Sequence, residues 1–230
     1  VANTGEKCRI AAEEINERIT SLGGEMIPVV PMGGVLPAGN VIVVSPCSGP
    51  WISTHQGVGG VTPESPGEQG YVIHPSRTGD TTRIFLVGSD ALGTLYAAVT
   101  LRRLIVRHEG NILLYPARVK DWPDYKYRQN GTPFSEPLRQ DWYTILSAEK
   151  EGEIEKAQEM ARKWVTFQKG YFDWMLRAKI NLAWFSTNIR PGEAHEKTTI
   201  SRAALKEVNE YGWSRGIESM AADTTAIGAY

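Results

Sequence analysis

The chain reads as an α/β protein in two parts, and two observations predict this. Residues 1 to about 118 run helix, several short β-rich segments, helix, an order that suits two helices packed on one face of a mixed sheet. From residue 119 onward helical periodicities alternate with short apolar runs, and the second and third runs begin about 37 residues apart. That interval, with a helix between, is a βα repeat and implies parallel strands joined by right-handed crossovers.

The first helix is expected over Lys7 to Leu22. Ala11, Ile15, Ile19 and Leu22 recur at helical spacing opposite Glu13, Glu14 and Glu17, and Gly23 and Gly24 end the run. Strands are expected at Met26 to Val30, Val41 to Ser45 and Tyr71 to His74, each bounded by Pro or Gly. Arg83 to Gly88 is apolar on both faces and should lie centrally in its sheet. Ser89 or Asp90 can cap a second helix presenting Leu92, Leu95, Tyr96, Val99, Leu104 and Ile105. Arg102, Arg103 and Arg107 then mark its solvated C-terminal turns.

In the second part a helix is expected over Glu149 to Phe167, with Ile154, Ala157, Ala161, Trp164 and Val165 on one side. A buried strand follows at Leu182 to Phe185. Ser201 can cap a further helix whose Leu205, Val208 and Gly212 share a face, Gly216 ends it, and Ile217 to Ala222 forms the next strand.

Composition narrows the function classes. The chain has 230 residues, 41% apolar and 22% charged, with a net charge of -1. No window approaches the roughly 18 consecutive apolar residues of a membrane span, and the start VANTGEK lacks the features of a signal peptide. The charge balance gives no basic face for nucleic acid. Cys8 and Cys47 fit either a bridge in an exported protein or free thiols, and they lack metal-site spacing. His195-Glu196 has no second histidine at metalloprotease spacing, and the glycines at 57, 59 and 60 form no dinucleotide fingerprint. No cofactor and no metal are therefore expected.

Quoted residues add a resemblance. AAEEINERITSLGGEMIPVV is similar to the "AA-x-EL…TG-x-x-LP-V" passage of the small α/β domain that precedes the barrel in hexosaminidase-like and α-glucuronidase-like glycoside hydrolases. GYVIHPS with TTRIFLVGSDALGTLYAAVTLRRLI resembles that domain's "E-G-Y-x-I … I-x-I-x-G-x-D-x-x-G-x-x-Y-G-x-x-T-L-x-x-L" signature. Gly70, Tyr71, Gly88, Asp90, Gly93, Tyr96, Thr100, Leu101 and Leu104 match by position, while Gln69 and Ala97 depart from it. Gly88, Gly93 and Tyr96 read as packing residues. The family opens with a strand before the first helix, where this chain has only VANTGEK, so an outer strand is expected to be missing. VKDWPDYKYRQNG resembles the junction "I-x-D-x-P-x-F-x-x-R-G" leading into barrel strand one, and FDWMLRAKINLAWFSTN the passage into strand two.

The resemblance implies a (β/α)8 TIM barrel, of which this chain holds about three strands. Such a barrel needs about 250 residues, and 112 follow residue 118. The organisation expected is thus an accessory α/β domain over 1–118 and a partial, truncated barrel over 119–230. Its open edge would favour self-association.

Active sites of barrels lie at the C-terminal ends of the strands. The substrate-binding candidates are Arg128 and Asn130 at strand one, Asn188 at strand two and Asp223 at strand three. In similar hexosaminidases the arginine ending strand one grips sugar hydroxyls, a task suited to the guanidinium fork; bracing the barrel from below stays open for Arg128. Trp122, Phe134, Trp142 and Tyr143 offer rings for stacking on sugars, and core packing between the two parts accounts for Trp122 equally well. Glycoside hydrolysis needs paired carboxyl groups unless the substrate's acetamide replaces one. In the resembling families these acids end strand four, beyond Tyr230, so no catalytic residue is expected in this chain. Glu136, Asp141 and Asp173 read as solvated carboxylates.

The resemblance implies the N-terminal part of an exported glycosidase, extracellular or periplasmic, acting on amino-sugar or uronic-acid glycans. The alternative is a non-catalytic carbohydrate-binding or assembly module of the same fold. Its partner would be a carbohydrate, with no nucleic acid and no membrane.

Overall fold

The computed structural model describes residues 5–31, 36–49, 52, 58, 60–129, 136–185 and 198–221. They belong to two compact units, Val1–Lys126 and Tyr127–Tyr230. The fold class is mixed α/β, as expected.

In the first unit α1 spans Glu6–Ser21 and buries Ile10, Ala11, Ile15 and Ile19. Gly23, at φ 85°, turns the chain out of it. The apolar run 26–30 does not become a strand. Met26 and Val29 are more than half exposed, and the Asn16 carboxamide takes both the N–H and the carbonyl of Ile27. Alternating apolar residues make a strand only where a neighbour pairs with them.

β1 (Val41–Pro46), β2 (Tyr71–Thr78), β3 (Thr81–Gly88) and β6 (Val119–Asp121) form one sheet in the order β1-β3-β2-β6. β3 lies inside it, parallel to β1 and antiparallel to β2, which explains apolar side chains on both of its faces. Val41↔Arg83 and Tyr71↔Gly88 fix the register. Because β6 pairs with β2, the chain stays with the first unit through Lys126, beyond the expected boundary at 118. A solvent-open cavity of about 200 Å³ lies between α1, residues 27–30 and β1.

α2 (Ala91–Leu104) packs along α1 and on the sheet. Two corrections attach to its end. Ile105 is not helical but opens β4 (Ile105–His108), which forms a hairpin with β5 (Asn111–Leu114). Glu109 and Gly110, at φ 48° and 82°, make the two-residue turn. Nor is Arg102 solvated: it pairs with Glu14 and Glu17 of α1 and donates to the Glu14 carbonyl, whereas Arg103 and Arg107 are exposed, Arg107 on β4 and donating to the Leu22 carbonyl.

In the second unit the expected helix 149–167 straddles a break. α3 (Glu136–Lys150) ends at Glu151-Gly152, where Gly152 takes φ 81°, and α4 (Ile154–Arg177) follows. β7 (Leu182–Phe185) and β8 (Glu218–Ala221) are parallel, in the register Leu182↔Glu218, with α5 (Thr199–Ser214) between them in sequence. Ser201 does not cap α5. Its hydroxyl and backbone N–H, with the N–H of Ile200, donate instead to the buried carboxylate of Glu149 on α3. The helices close on a core of Ile145, Trp164, Phe172, Met175, Val208 and Ile217.

Among the described residues no helix is long and apolar enough to cross a membrane. Cys8 and Cys47 are both free thiols.

Candidate functional site

The signature residues of the first unit come together at one turn. Asp90 accepts from the N–H of Gly93, capping α2, and from that of Gln69. Gln69 is buried, stands at φ 61° and donates through its amide to the Lys126 carbonyl. A Cβ on Gly93 would sit 2.1 Å from the Gly70 carbonyl oxygen, and one on Gly88 2.1 Å from the Thr94 nitrogen. Tyr71 donates to Asp121 and shares a bond with Thr100, and burial pushes its phenol well above the usual range. Every one of these contacts is internal to the fold, so this turn is packing, as the glycine spacing predicts.

The second unit carries the strand ends. Asn181 is buried and ties three chain segments: its Oδ1 accepts from Arg128 N, its N–H donates to the Arg128 carbonyl, and its carbonyl accepts from Glu218 N. Gln129 bridges Leu182 in parallel, so strand one, β7 and β8 lie side by side. Arg128 therefore stands level with the start of β7. Its Nε donates to the Lys179 carbonyl at 2.7 Å, on the side from which β7 begins. The expectation placed it at the C-terminal end of strand one, and the residues that follow Gln129 lie outside the described ones.

Asn130 follows Gln129 directly, Asn188 follows β7 and Asp223 follows β8. All three lie outside the described residues, as do Phe134 and His195. Trp142 is buried against Trp164, ring centroids 4.9 Å apart, and so is a core residue rather than a stacking platform. Trp122 is half exposed. Asp173 is not free in solvent either: Tyr211 Oη donates to both its oxygens and Arg215 Nε to one at 2.6 Å, with the guanidinium 3.4 Å from the Tyr211 ring centroid. No cluster of metal-ligating side chains occurs among the described residues. Sequence reasoning missed the role of Glu149, which carried no signal; Asn181 lies in the passage that resembles the approach to strand two, but its contact with Arg128 was not foreseen.

This is a glycosidase-like α/β fold. No protein-family model matches the sequence, and no curated protein does; the likeness is to solved structures. A GH138 enzyme targeting pectin rhamnogalacturonan II is 12% identical with a TM-score of 0.57, over 95% of this chain and 23% of that one. The Flavobacterium johnsoniae chitobiase, a GH20 protein, is 11% identical with a TM-score of 0.56, over 96% and 30%. The Vibrio harveyi GH20 exo-β-N-acetylglucosaminidase, as its complex with N-acetylglucosamine, is 12% identical with a TM-score of 0.52, over 96% and 32%. This chain thus spans about a quarter to a third of the length of these proteins.

Proposed function

We propose that these residues are the N-terminal portion of an exported glycoside hydrolase acting on amino-sugar or uronic-acid glycans. One observation carries the reading: glycoside hydrolases share this order of elements over nearly the whole chain. In this reading the first unit is an accessory domain, and strand one, β7 and β8 begin a (β/α)8 barrel whose ligand side lies at their C-terminal ends. Asn130, Asn188 and Asp223 are then the substrate-binding residues, because amide and carboxylate groups can bond sugar hydroxyls. Arg128, bonded to the Lys179 carbonyl and to Asn181, braces strand one against the start of β7. The paired acids that such chemistry needs come from a later strand, so residues 1–230 alone are inert.

The reading is tested by assaying purified residues 1–230 on chromogenic N-acetylhexosaminides and glucuronides. No turnover is expected, and detectable hydrolysis abolished by replacing Asp223 would sink the assignment of the acids to a later strand. Glycan affinity without turnover in the natural gene product would favour the carbohydrate-binding module instead.

A further inference from the structure

The sheet of the first unit carries a row of cations on the face away from its helices. Tyr71 of β2 reaches Thr100 of α2, so the alternate residues Val72 and His74 stand on the opposite face. The β2–β6 register runs Tyr71↔Asp121, Val72↔Lys120, Ile73↔Val119. One step further sets His74 opposite Arg118, and one step back sets Gly70 opposite Trp122, where a Cβ on Gly70 would meet Trp122 Cβ at 3.1 Å. The edge of the sheet therefore presents Trp122, Lys120 and Arg118 on one face, at alternate positions about 7 Å apart, and all three are exposed. A solvent-open groove of about 370 Å³ is lined there by Val61, Pro66, Val72, His74, Arg118 and Lys120, and no carboxylate is among the described residues that line it. Arg83 of β3 lies on the same face, diagonal to His74, and its Nε is buried without a hydrogen-bond partner among the described residues. Among those residues none of Arg83, Arg118 and Lys120 is in an ion pair. In a chain with 25 basic and 26 acidic residues, an unopposed row of one sign is a local feature that attracts the opposite charge.

We propose that this groove binds an acidic glycan, a chain of uronate sugars, with residues of the first unit alone. Three features select that ligand. The Arg118 guanidinium and the Lys120 ammonium suit carboxylates, the first through its two-pronged fork. The half-exposed Trp122 ring, beside them on the same face, offers a flat apolar surface for a sugar ring, and Val61, Pro66 and Val72 continue that apolar wall. The row is also short: cations on three neighbouring strands match a few carboxylates, whereas a polynucleotide is held by a longer track of phosphate contacts. The inference rests on the glycan reading above for the choice of a sugar over other polyanions, and it adds to that reading a site outside the barrel strands.

The test is calorimetric titration of residues 1–230 with an oligogalacturonate at low salt, beside its methyl-esterified, uncharged counterpart and a single-stranded oligothymidine of equal charge. Binding of the free acid is expected to weaken at least about 10-fold in an Arg118→Gln/Lys120→Gln protein and about 5-fold in Trp122→Ala. It should be unchanged in Lys156→Gln/Lys206→Gln, which removes the same charge from exposed helical positions. In the unsubstituted protein the His74 imidazole resonances should shift on addition of the free acid, a local readout that needs no variant. No binding, equal binding of the esterified oligomer, equal weakening by the helical lysine pair, an unmoved His74, or tighter binding of the oligothymidine overturns the proposal. Hydrolysis is scored separately: a protein that binds the uronate here and cleaves no glycan counts against the proposed function, and an active hydrolase that leaves His74 unmoved counts against this groove.

Discussion

Replacing Gly93 with alanine puts the close approach of α2 to the sheet on trial. The new Cβ would lie 2.1 Å from the Gly70 carbonyl oxygen and 3.1 Å from the Gln69 carbonyl carbon. Carbon–oxygen contacts of this kind settle near 3.3 Å, so α2 or the 69–70 turn must move by about 1.2 Å. Neither moves freely. The Gly70 oxygen already accepts from Ser89 N at 2.9 Å and Ser89 Oγ at 2.8 Å, and Gly93 N is fixed to Asp90. Overpacking costs about 1–3 kcal/mol, and loosening two hydrogen bonds about 1 kcal/mol each. Alanine returns about 1 kcal/mol of helix propensity, leaving a net loss of about 3 kcal/mol. Urea titration followed by hydrogen exchange at the α2 amides should show the midpoint fall by roughly 1.5 M for a slope near 2 kcal/mol/M. The control is the same substitution at Gly170, within α4, where a Cβ meets nothing within 4 Å. It should stabilise α4 by about 1 kcal/mol. A Gly93→Ala protein within about 0.5 kcal/mol of the parent would refute the packing argument.

Three further outcomes are expected. Glu149→Ala leaves Ile200 N, Ser201 N and Ser201 Oγ without their acceptor and should destabilise the second unit by about 2–3 kcal/mol, read by thermal unfolding; hydrogen exchange should rise first at the start of α5. Tyr71→Phe removes the bonds to Thr100 and Asp121 and should cost about 1–2 kcal/mol by the same measurement. Burial, and then Arg118, lower the pKa of His74 below its ordinary 6.5. The unfolded chain therefore binds this proton more readily, and the folded state loses stability as pH falls below about 6.5 toward the lower folded pKa. His74→Asn should remove that part of the slope, and an unchanged difference between pH 7.5 and 5.5 would contradict it.

What could be read from the residues was whatever depends on local pattern. The doubly apolar run 83–88 gave an inner strand, Ser89 or Asp90 a cap, which is Asp90, and Gly216 a helix end, because each follows from neighbours in sequence. Partner-dependent features were not legible. Met26 to Val30 has the composition of a strand but pairs with no strand among the described residues, and the Arg102 charge is spent on α1, some 85 residues away in sequence. The hairpin at Glu109-Gly110 and the break at Glu151-Gly152 did carry a signal, a glycine at positive φ, that the helical periodicity on either side obscured. For the site, Arg128 and Asn181 lie in passages that resemble the family, but that they meet depends on the Gln129↔Leu182 register, a tertiary fact.

The most direct test of the central claim is turnover by the natural gene product on chromogenic N-acetylhexosaminides and glucuronides, beside residues 1–230 under the same conditions. The account predicts hydrolysis by the longer protein, lost when a carboxylate ending the strand after β8 is replaced, and none by residues 1–230. A longer protein that binds these glycans and turns over none of them would contradict it.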